Sequence, residues 1–161
     1  MHGRKPLDAH LWQRAERAGK KTGALETFKS RANKFDQFTL EEQKYLLVLT
    51  LKSIRLAREK EIDVNQVMIA GYLRADQEAL MSELSKDSHM GIEINLEMQK
   101  KFLHLMLHER NKDMAEAILK ALQEPQGESY FFAAGALHYI GDKSVNSLLT
   151  EAGYEISLVT K

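Results

Sequence analysis

A run of aromatic and small residues that leads directly into a helix pattern constrains the fold of this chain most strongly; it reads SYFFAAGALHYIGDKSVNSLLTEAGYEI. Residues 129–134 have the composition of a buried strand, and Gly-Ala-Leu-His follows at the end of that strand. Gly141 and Asp142 then break the pattern and cap a helix, Gly153 ends that helix, and YEISLVT supplies a final strand. This order of strand, helix and strand predicts a sheet covered by helices.

The rest of the chain is dominated by helix patterns. Gly19 occupies the position at which a glycine ends a helix, and KTGALE, residues 21–26, has the pattern of a short buried strand. Thr39 and Glu42 form a capping box. Helices are predicted over 7–18, 39–60, 63–72, 74–85 and 95–122. Because helix and strand alternate at both ends around a helical middle, the sequence predicts an α/β fold with a mostly parallel sheet and flanking helices.

Composition excludes several classes of function. The 161 residues correspond to about one domain, and 23 basic residues balance 23 acidic ones, so no net charge attracts nucleic acid. The strongest apolar run, YLLVLTL at 45–51, is far shorter than the roughly 18 residues that span a bilayer, which predicts no membrane insertion by these residues. Cysteine is absent, so histidine and carboxylates are the only strong metal ligands.

Two polar residues interrupt the apolar stripe of the long helix predicted over 95–122. Arg110 lies four residues from both Met106 and Met114. Asn111 lies four residues from both Leu107 and Ala115, so both side chains are expected to point inward. A buried guanidinium that lacks a partner costs several kcal/mol, which predicts an acidic partner elsewhere in the fold. A structural ion pair and a functional site remain open as interpretations.

Histidines and one carboxylate are the candidate metal ligands. His104 and His108 have the i, i+4 spacing at which two imidazoles can share a metal, although two histidines beside a core explain the same pattern. His138 is expected at the end of a strand, where ligands of parallel sheets bind, and Gly135 is expected to allow a close approach or an unusual turn. Glu26 is predicted to end another strand at the same edge of the sheet.

These segments, in this order, resemble the TraB/GumN family: LDAHLWQRAERAGKKTGALET, LHERNKDMAEAI and YFFAAGALHYIGDKSVNSLLTEAGYEI. The family includes the animal Tiki proteins, which are described as metal-dependent proteases that act on Wnt proteins. The resemblance implies a fold akin to the erythromycin esterase and ChaN group. It also implies that residues 1–161 form the C-terminal portion of a single domain, because full members begin with another G-x-x-H strand and no residue before Leu7 supplies one.

The resemblance assigns site residues one by one. The family's G-x-x-H falls on Gly135 and His138, its Arg-Asn pair on Arg110 and Asn111, and its strand-end glutamate on Glu26. His138 and Glu26 are then the implied ligands of a divalent metal (Mn, Co or Zn), and Glu26, Arg110 and His138 the implied catalytic residues. Two protein ligands are fewer than the usual three, so we expect a fragment or a natural short form that is inactive as the isolated chain.

Two functions from different classes follow from this interpretation. The first is a metal-dependent hydrolase with a protein or peptide substrate, and the second is a non-catalytic α/β module that binds a protein partner or a ligand such as haem. An unpaired apolar sheet edge is expected to favour self-association. The composition alone gives no location, and the resemblance to Tiki and GumN proteins implies a membrane-anchored extracellular location or one in the cell envelope.

Overall fold

The computed structural model describes residues 5–74, 77–78, 80, 92–124 and 129–159. Most of the predicted helix 74–85 lies outside these residues. The described helices, numbered in chain order, are α1 (Leu7–Arg17), α2 (Phe28–Phe35), α3 (Leu40–Glu59), α4 (Val64–Leu73), α5 (Leu96–Leu103), α6 (Glu109–Leu122) and α7 (Val145–Glu151). A π-helical turn, His104–His108, joins α5 to α6, and a 3₁₀ turn, Ala136–His138, precedes α7.

Short polar residues and glycines set the helix ends. The predicted capping box of α3 is confirmed: the Thr39 hydroxyl accepts from the Glu42 N–H, and the Glu42 carboxylate accepts from the Thr39 N–H. Gly19, with φ of 65°, follows α1 as predicted, and the N–H of Lys20 donates to the carbonyl of Ala15 across the helix end. The start of α7 differs from the prediction, because Ser144 rather than Asp142 is its N-cap.

Two hydrophobic clusters hold the helices together. The first joins α6 to α7 through buried side chains, with Leu25, Phe132 and Tyr139 packed against them: Met114, Ile118, Val145 and Leu149. The second joins the start of α3 to α5 and the π turn through Phe38, Met98 and Leu105. The first cluster places the segments around Glu26 and His138 beside α6, which carries Arg110 and Asn111.

The π turn changes the helix phase between α5 and α6. In it the N–H of Glu109 donates to the carbonyl of His104, five residues back, so the segment contains one residue more than an α-helical turn. Extending the period of the buried α6 positions backwards would bury residues 97 and 104, whereas the structure buries Met98 and Leu105, one position later. The prediction of one continuous apolar stripe over 95–122 therefore gives the correct buried positions after Glu109, but before Glu109 the buried positions are shifted by one residue.

The predicted mostly parallel sheet is wrong for the part of the chain that the structure describes. These residues are helical or irregular, and none of them belongs to a β-ladder. His138 accordingly lies in a 3₁₀ turn rather than at the end of a strand, and Glu26 lies in a bend before α2. The predicted sheet edge is also not found among the described residues. Self-association stays a prediction, but pairing of exposed sheet edges no longer supports it.

The segments that were predicted as strands pack on helices or lie exposed instead of pairing with each other. In 129–135 the exposure alternates residue by residue, as in a strand: Phe132 and Ala134 pack on the first cluster, while Phe131 is 78% exposed. Residues 154–159 are exposed throughout. The sequence pattern thus reports an extended backbone with one buried face, but a ladder also needs a neighbouring strand.

Among the described residues, no helix has the length and apolar character needed to cross a membrane.

Candidate active site

Arg110 of α6 forms a two-pronged ion pair with Glu26. Its Nε donates to Oε2 of Glu26 at 2.9 Å, and its Nη2 donates to Oε1 at 2.5 Å. A third donor, Nη1, reaches the carbonyl of Met106 in the π turn at 3.1 Å. The side chains of Arg110 and Glu26 are 16% and 17% exposed. The prediction that Arg110 is largely buried and has an acidic partner is therefore confirmed.

This ion pair keeps the Glu26 carboxylate charged. The hydrogen bonds from Arg110 lower the pKa of Glu26, partial burial opposes them, and the charges of Arg110, Arg31 and His138 lower the pKa further. Each carboxylate oxygen already accepts a hydrogen bond from the guanidinium. A role of Glu26 as a base or as the ligand of a second cation would therefore compete with the Arg110 guanidinium.

Asn111, the next residue on α6, holds His138 from the other side. Asn111 is 1% exposed and His138 is 8% exposed. Oδ1 of Asn111 lies 2.7 Å from Nδ1 of His138, and Nδ2 of Asn111 donates to the carbonyl of Lys143 at 2.7 Å. Consecutive residues of one helix thus fix the two predicted site residues, the carboxylate through Arg110 and the imidazole through Asn111.

The Lys143 carbonyl determines the tautomer of His138. A carbonyl only accepts, so the Asn111 amide must direct its NH₂ group to Lys143 and its oxygen to His138. Nδ1 of His138 must then carry the proton, which leaves a lone pair on Nε2. An unprotonated imidazole nitrogen can serve as a general base or as a metal ligand.

Burial also keeps the imidazole neutral. Loss of solvent lowers the pKa of His138, the Arg110 cation lowers it further, and only the Glu26 carboxylate opposes them. The pKa of His138 therefore lies below its ordinary value of 6.5. The neutral form with a free Nε2 is the form expected at neutral pH.

Gly135 differs from its predicted role. Its backbone has φ of −61° and ψ of 141°, which most residues adopt readily. A Cβ atom added there would meet only Cδ2 of His138, at 3.8 Å, an ordinary contact. The expectation of a close approach or an unusual turn was thus wrong, and the Gly135 carbonyl instead accepts the N–H of His138 at 2.9 Å to form the 3₁₀ turn.

Lys143 is the site residue that the sequence analysis missed. It has φ of 59°, a left-handed conformation that is uncommon for a lysine, and its carbonyl accepts from Asn111. The available signal was the Gly-Asp-Lys-Ser turn before α7, but a backbone acceptor leaves no trace in the side-chain pattern.

The model of the TraB/PrgY/gumN family matches residues 1–158. The chain belongs to this family. Its curated relatives include metalloprotease TIKI2 of Xenopus tropicalis, 29% identical over 93% of this chain and 31% of that protein, and metalloprotease TIKI2 of Danio rerio, 29% identical over 93% and 32%. Metalloprotease TIKI1 of Homo sapiens is 26% identical over 93% and 32%. The chain spans about a third of the length of these relatives, and no solved structure matches it.

The metalloprotease names of these TraB/PrgY/gumN relatives suggest a metal, and the donor set present here does not fit one. Within the described ranges, no group of three or more His, Asp or Glu residues could hold a metal ion. Of the predicted ligands, Glu26 has both oxygens engaged by Arg110, and His138 has a single open nitrogen. His104 is largely exposed and faces Glu109 at 4.0 Å, so the i, i+4 histidine pair provides no further ligand group.

Proposed function

We propose that this chain forms part of the active site of a peptide hydrolase of the metalloprotease type, with His138 as the residue that acts on the reacting groups. The observation that supports the proposal is the His138–Asn111–Lys143 chain of hydrogen bonds, which leaves Nε2 of a neutral imidazole unprotonated. Membership of the TraB/PrgY/gumN family and similarity to proteins named metalloproteases agree with this reaction class.

The other site residues have supporting roles in this proposal. Asn111 positions His138, and Glu26 positions Arg110, although the sequence analysis had assigned Glu26 as a metal ligand or base. A guanidinium has five N–H donors, of which three are used by Glu26 and Met106 here, so two remain for a substrate. Arg110 is therefore proposed to orient a substrate carboxylate or to stabilise negative charge on a carbonyl oxygen.

The incomplete donor set favours a second candidate, a non-catalytic module that binds a protein partner or a ligand such as haem. The described residues offer one open imidazole nitrogen where a catalytic metal commonly has three protein ligands. Wnt proteins as substrates, the identity of the metal and a location at the membrane exterior remain predictions from the family resemblance.

The test combines the chain with the remainder of a relative. The chain is assayed alone and after it replaces the matching segment of metalloprotease TIKI2 of Xenopus tropicalis, with a peptide library and with Mn²⁺, Co²⁺ or Zn²⁺ added. We expect little cleavage by the chain alone and metal-dependent cleavage by the chimaera. His138→Ala should abolish that cleavage, whereas His10→Ala, an exposed histidine on α1, should retain it. A folded chimaera that stays inert favours the non-catalytic module.

A further inference from the structure

An open groove of about 490 Å³ lies beside the Arg110–Glu26 pair. One wall is a face of α2, formed by residues at i, i+3, i+4 and i+7: Phe28, Arg31, Ala32 and Phe35. The opposite wall is Met106 of the π turn and Arg110 of α6, and Asp36 closes one end. The two aromatic side chains are 81% and 40% exposed, so the groove presents apolar surface to solvent next to the proposed reacting groups.

A neighbouring face of α2 is attached to α6, which carries part of the groove lining. The Ser30 hydroxyl donates to Oδ2 of Asp113 at 3.0 Å, and Nζ of Lys34 lies 2.9 Å from the same oxygen. Ser30 and Lys34 lie one turn apart on α2, so both hold this helix against α6. Phe28 and Phe35 lie on another face of the same helix and remain 81% and 40% exposed.

The charges along the groove differ between its ends. Arg31 lies one turn after Phe28, and its guanidinium makes no ion pair or hydrogen bond within the described part of the chain, where only its backbone N–H donates, to the carbonyl of Thr27. Glu26, whose pKa Arg31 helps to lower, already has both oxygens engaged by Arg110. At the other end Asp36 would repel an anion. A ligand with an apolar group and an adjacent carboxylate therefore complements the Phe28 and Arg31 end.

We propose that this groove binds a peptide segment in which an aromatic side chain is followed by an acidic residue. The aromatic ring packs on Phe28 and Met106, and the carboxylate pairs with Arg31. The segment then lies beside Arg110, which lines the same groove and has two N–H donors that neither Glu26 nor Met106 uses. This inference rests on the proposed peptide hydrolase and names its substrate class, but it concerns binding and is tested without cleavage.

Binding is measured by the fluorescence anisotropy of three labelled short peptides that contain Phe-Glu, Phe-Lys or Ser-Glu at the same position. The wild-type chain should bind the Phe-Glu peptide about tenfold more tightly than either of the others. Arg31→Glu should weaken Phe-Glu binding about tenfold and strengthen Phe-Lys binding, because the charge complementarity is reversed. Phe28→Ser should weaken the binding of both Phe peptides. Because Phe28 is 81% exposed, the variant should keep the fold, which circular dichroism checks.

Lys29→Glu is the matched control, since it makes the same charge change on an exposed residue of α2 that does not line the groove. It should leave the preference for Phe-Glu unchanged. The proposal is overturned by equal losses in Arg31→Glu and Lys29→Glu, by equal binding of the three peptides, or by binding of none. If the chain binds Phe-Glu selectively but the chimaera cleaves no peptide, the groove proposal stands and the hydrolase proposal is rejected. If the chimaera cleaves peptides but the chain shows no preference for Phe-Glu, the hydrolase proposal stands and the groove proposal is rejected.

Discussion

Replacement of Asn111 tests the hydrogen-bond chain on which the proposed function depends. Asn111→Ala removes the acceptor of the His138 Nδ1–H and the donor to the Lys143 carbonyl, in a site where Asn111 is 1% exposed. The buried imidazole N–H left without a partner costs about 1–3 kcal/mol, and Lys143 is an exposed residue whose carbonyl loses less, so the free energy of unfolding should fall by at least about 1–3 kcal/mol. Asn111→Asp keeps the acceptor and adds a negative charge, which should raise the pKa of His138.

The assay is ¹H–¹⁵N correlation spectroscopy of the histidine side chains across a pH titration, with urea unfolding for stability. In the wild-type chain His138 should be protonated at Nδ1 and unprotonated at Nε2, with a pKa below the ordinary value of 6.5. Asn146→Asp is the control, because Nδ2 of Asn146 donates to the carbonyl of Tyr139 at 2.9 Å and, among the described residues, makes no hydrogen bond to His138. Asn146→Asp should leave the tautomer of His138 unchanged.

If Asn111 had only a structural role, its replacement would alter the free energy of unfolding but would not change the pKa of His138 specifically. The reasoning is refuted if wild-type His138 carries its proton on Nε2. It is also refuted if Asn111→Asp and Asn146→Asp shift the pKa of His138 equally, because a general charge effect would then explain both.

Further predictions concern the ion pair, the backbone and the metal. Glu26→Gln should lower the free energy of unfolding by about 2–4 kcal/mol, since it leaves the Arg110 cation largely buried without a carboxylate, and urea unfolding measures this loss. Because the folded-state pKa of Glu26 is lowered, its contribution is present above pH 4.5 and is lost as the pH falls through the folded-state pKa; Glu26→Gln should remove this part of the acid sensitivity. Glu61 follows α3 with φ of 53°, so Glu61→Gly should raise the free energy of unfolding by about 0.5–1 kcal/mol, whereas Glu61→Ala should not; thermal unfolding measures both. Gly135→Ala should be stabilising by about 0.4–1 kcal/mol, and a clear loss of stability would show that the backbone there needs glycine. Calorimetry should detect only weak binding of Mn²⁺, Co²⁺ or Zn²⁺ by the chain alone, abolished by His138→Ala; tight binding would contradict the donor count.

The long helix shows what the sequence could and could not predict. The inward direction of Arg110 and Asn111 was predicted correctly, because α6 keeps one α-helical phase from these residues through Met114 to Ile118. The burial of Leu105 was missed, because the π turn inserts one residue and so rotates the buried face of the preceding helix relative to that of α6. An inserted residue leaves both flanking patterns intact, so periodicity within either flank gives no sign of it.

The extended segments show a different limit. Alternating exposure over 129–135 agrees with the strand pattern of the sequence, and Phe132 packs inward as that pattern requires. Strand pairing, however, is a property of two segments, and the pattern of one segment cannot establish it. An acidic partner for Arg110 was predicted because a buried guanidinium needs a carboxylate, but its identity as Glu26 was not, and Glu26 and His138 were placed near each other through a sheet edge that the described residues do not form.

The competition between Arg110 and a cation for Glu26 decides which residue of this site is available for chemistry. A metal at Glu26 would compete with a two-pronged guanidinium for the same two oxygens, and displacing it would leave Arg110, 16% exposed, without its carboxylate. Breaking a buried pair in this way costs about 3–5 kcal/mol, reduced here by the partial exposure of both side chains, and that cost would be subtracted from the binding free energy of the metal. Nε2 of His138 requires no such displacement, because the hydrogen bond to Asn111 uses the other ring nitrogen. These contacts support the proposal that Glu26 acts through Arg110 and that His138 is the group offered to a substrate or to ligands supplied by another segment.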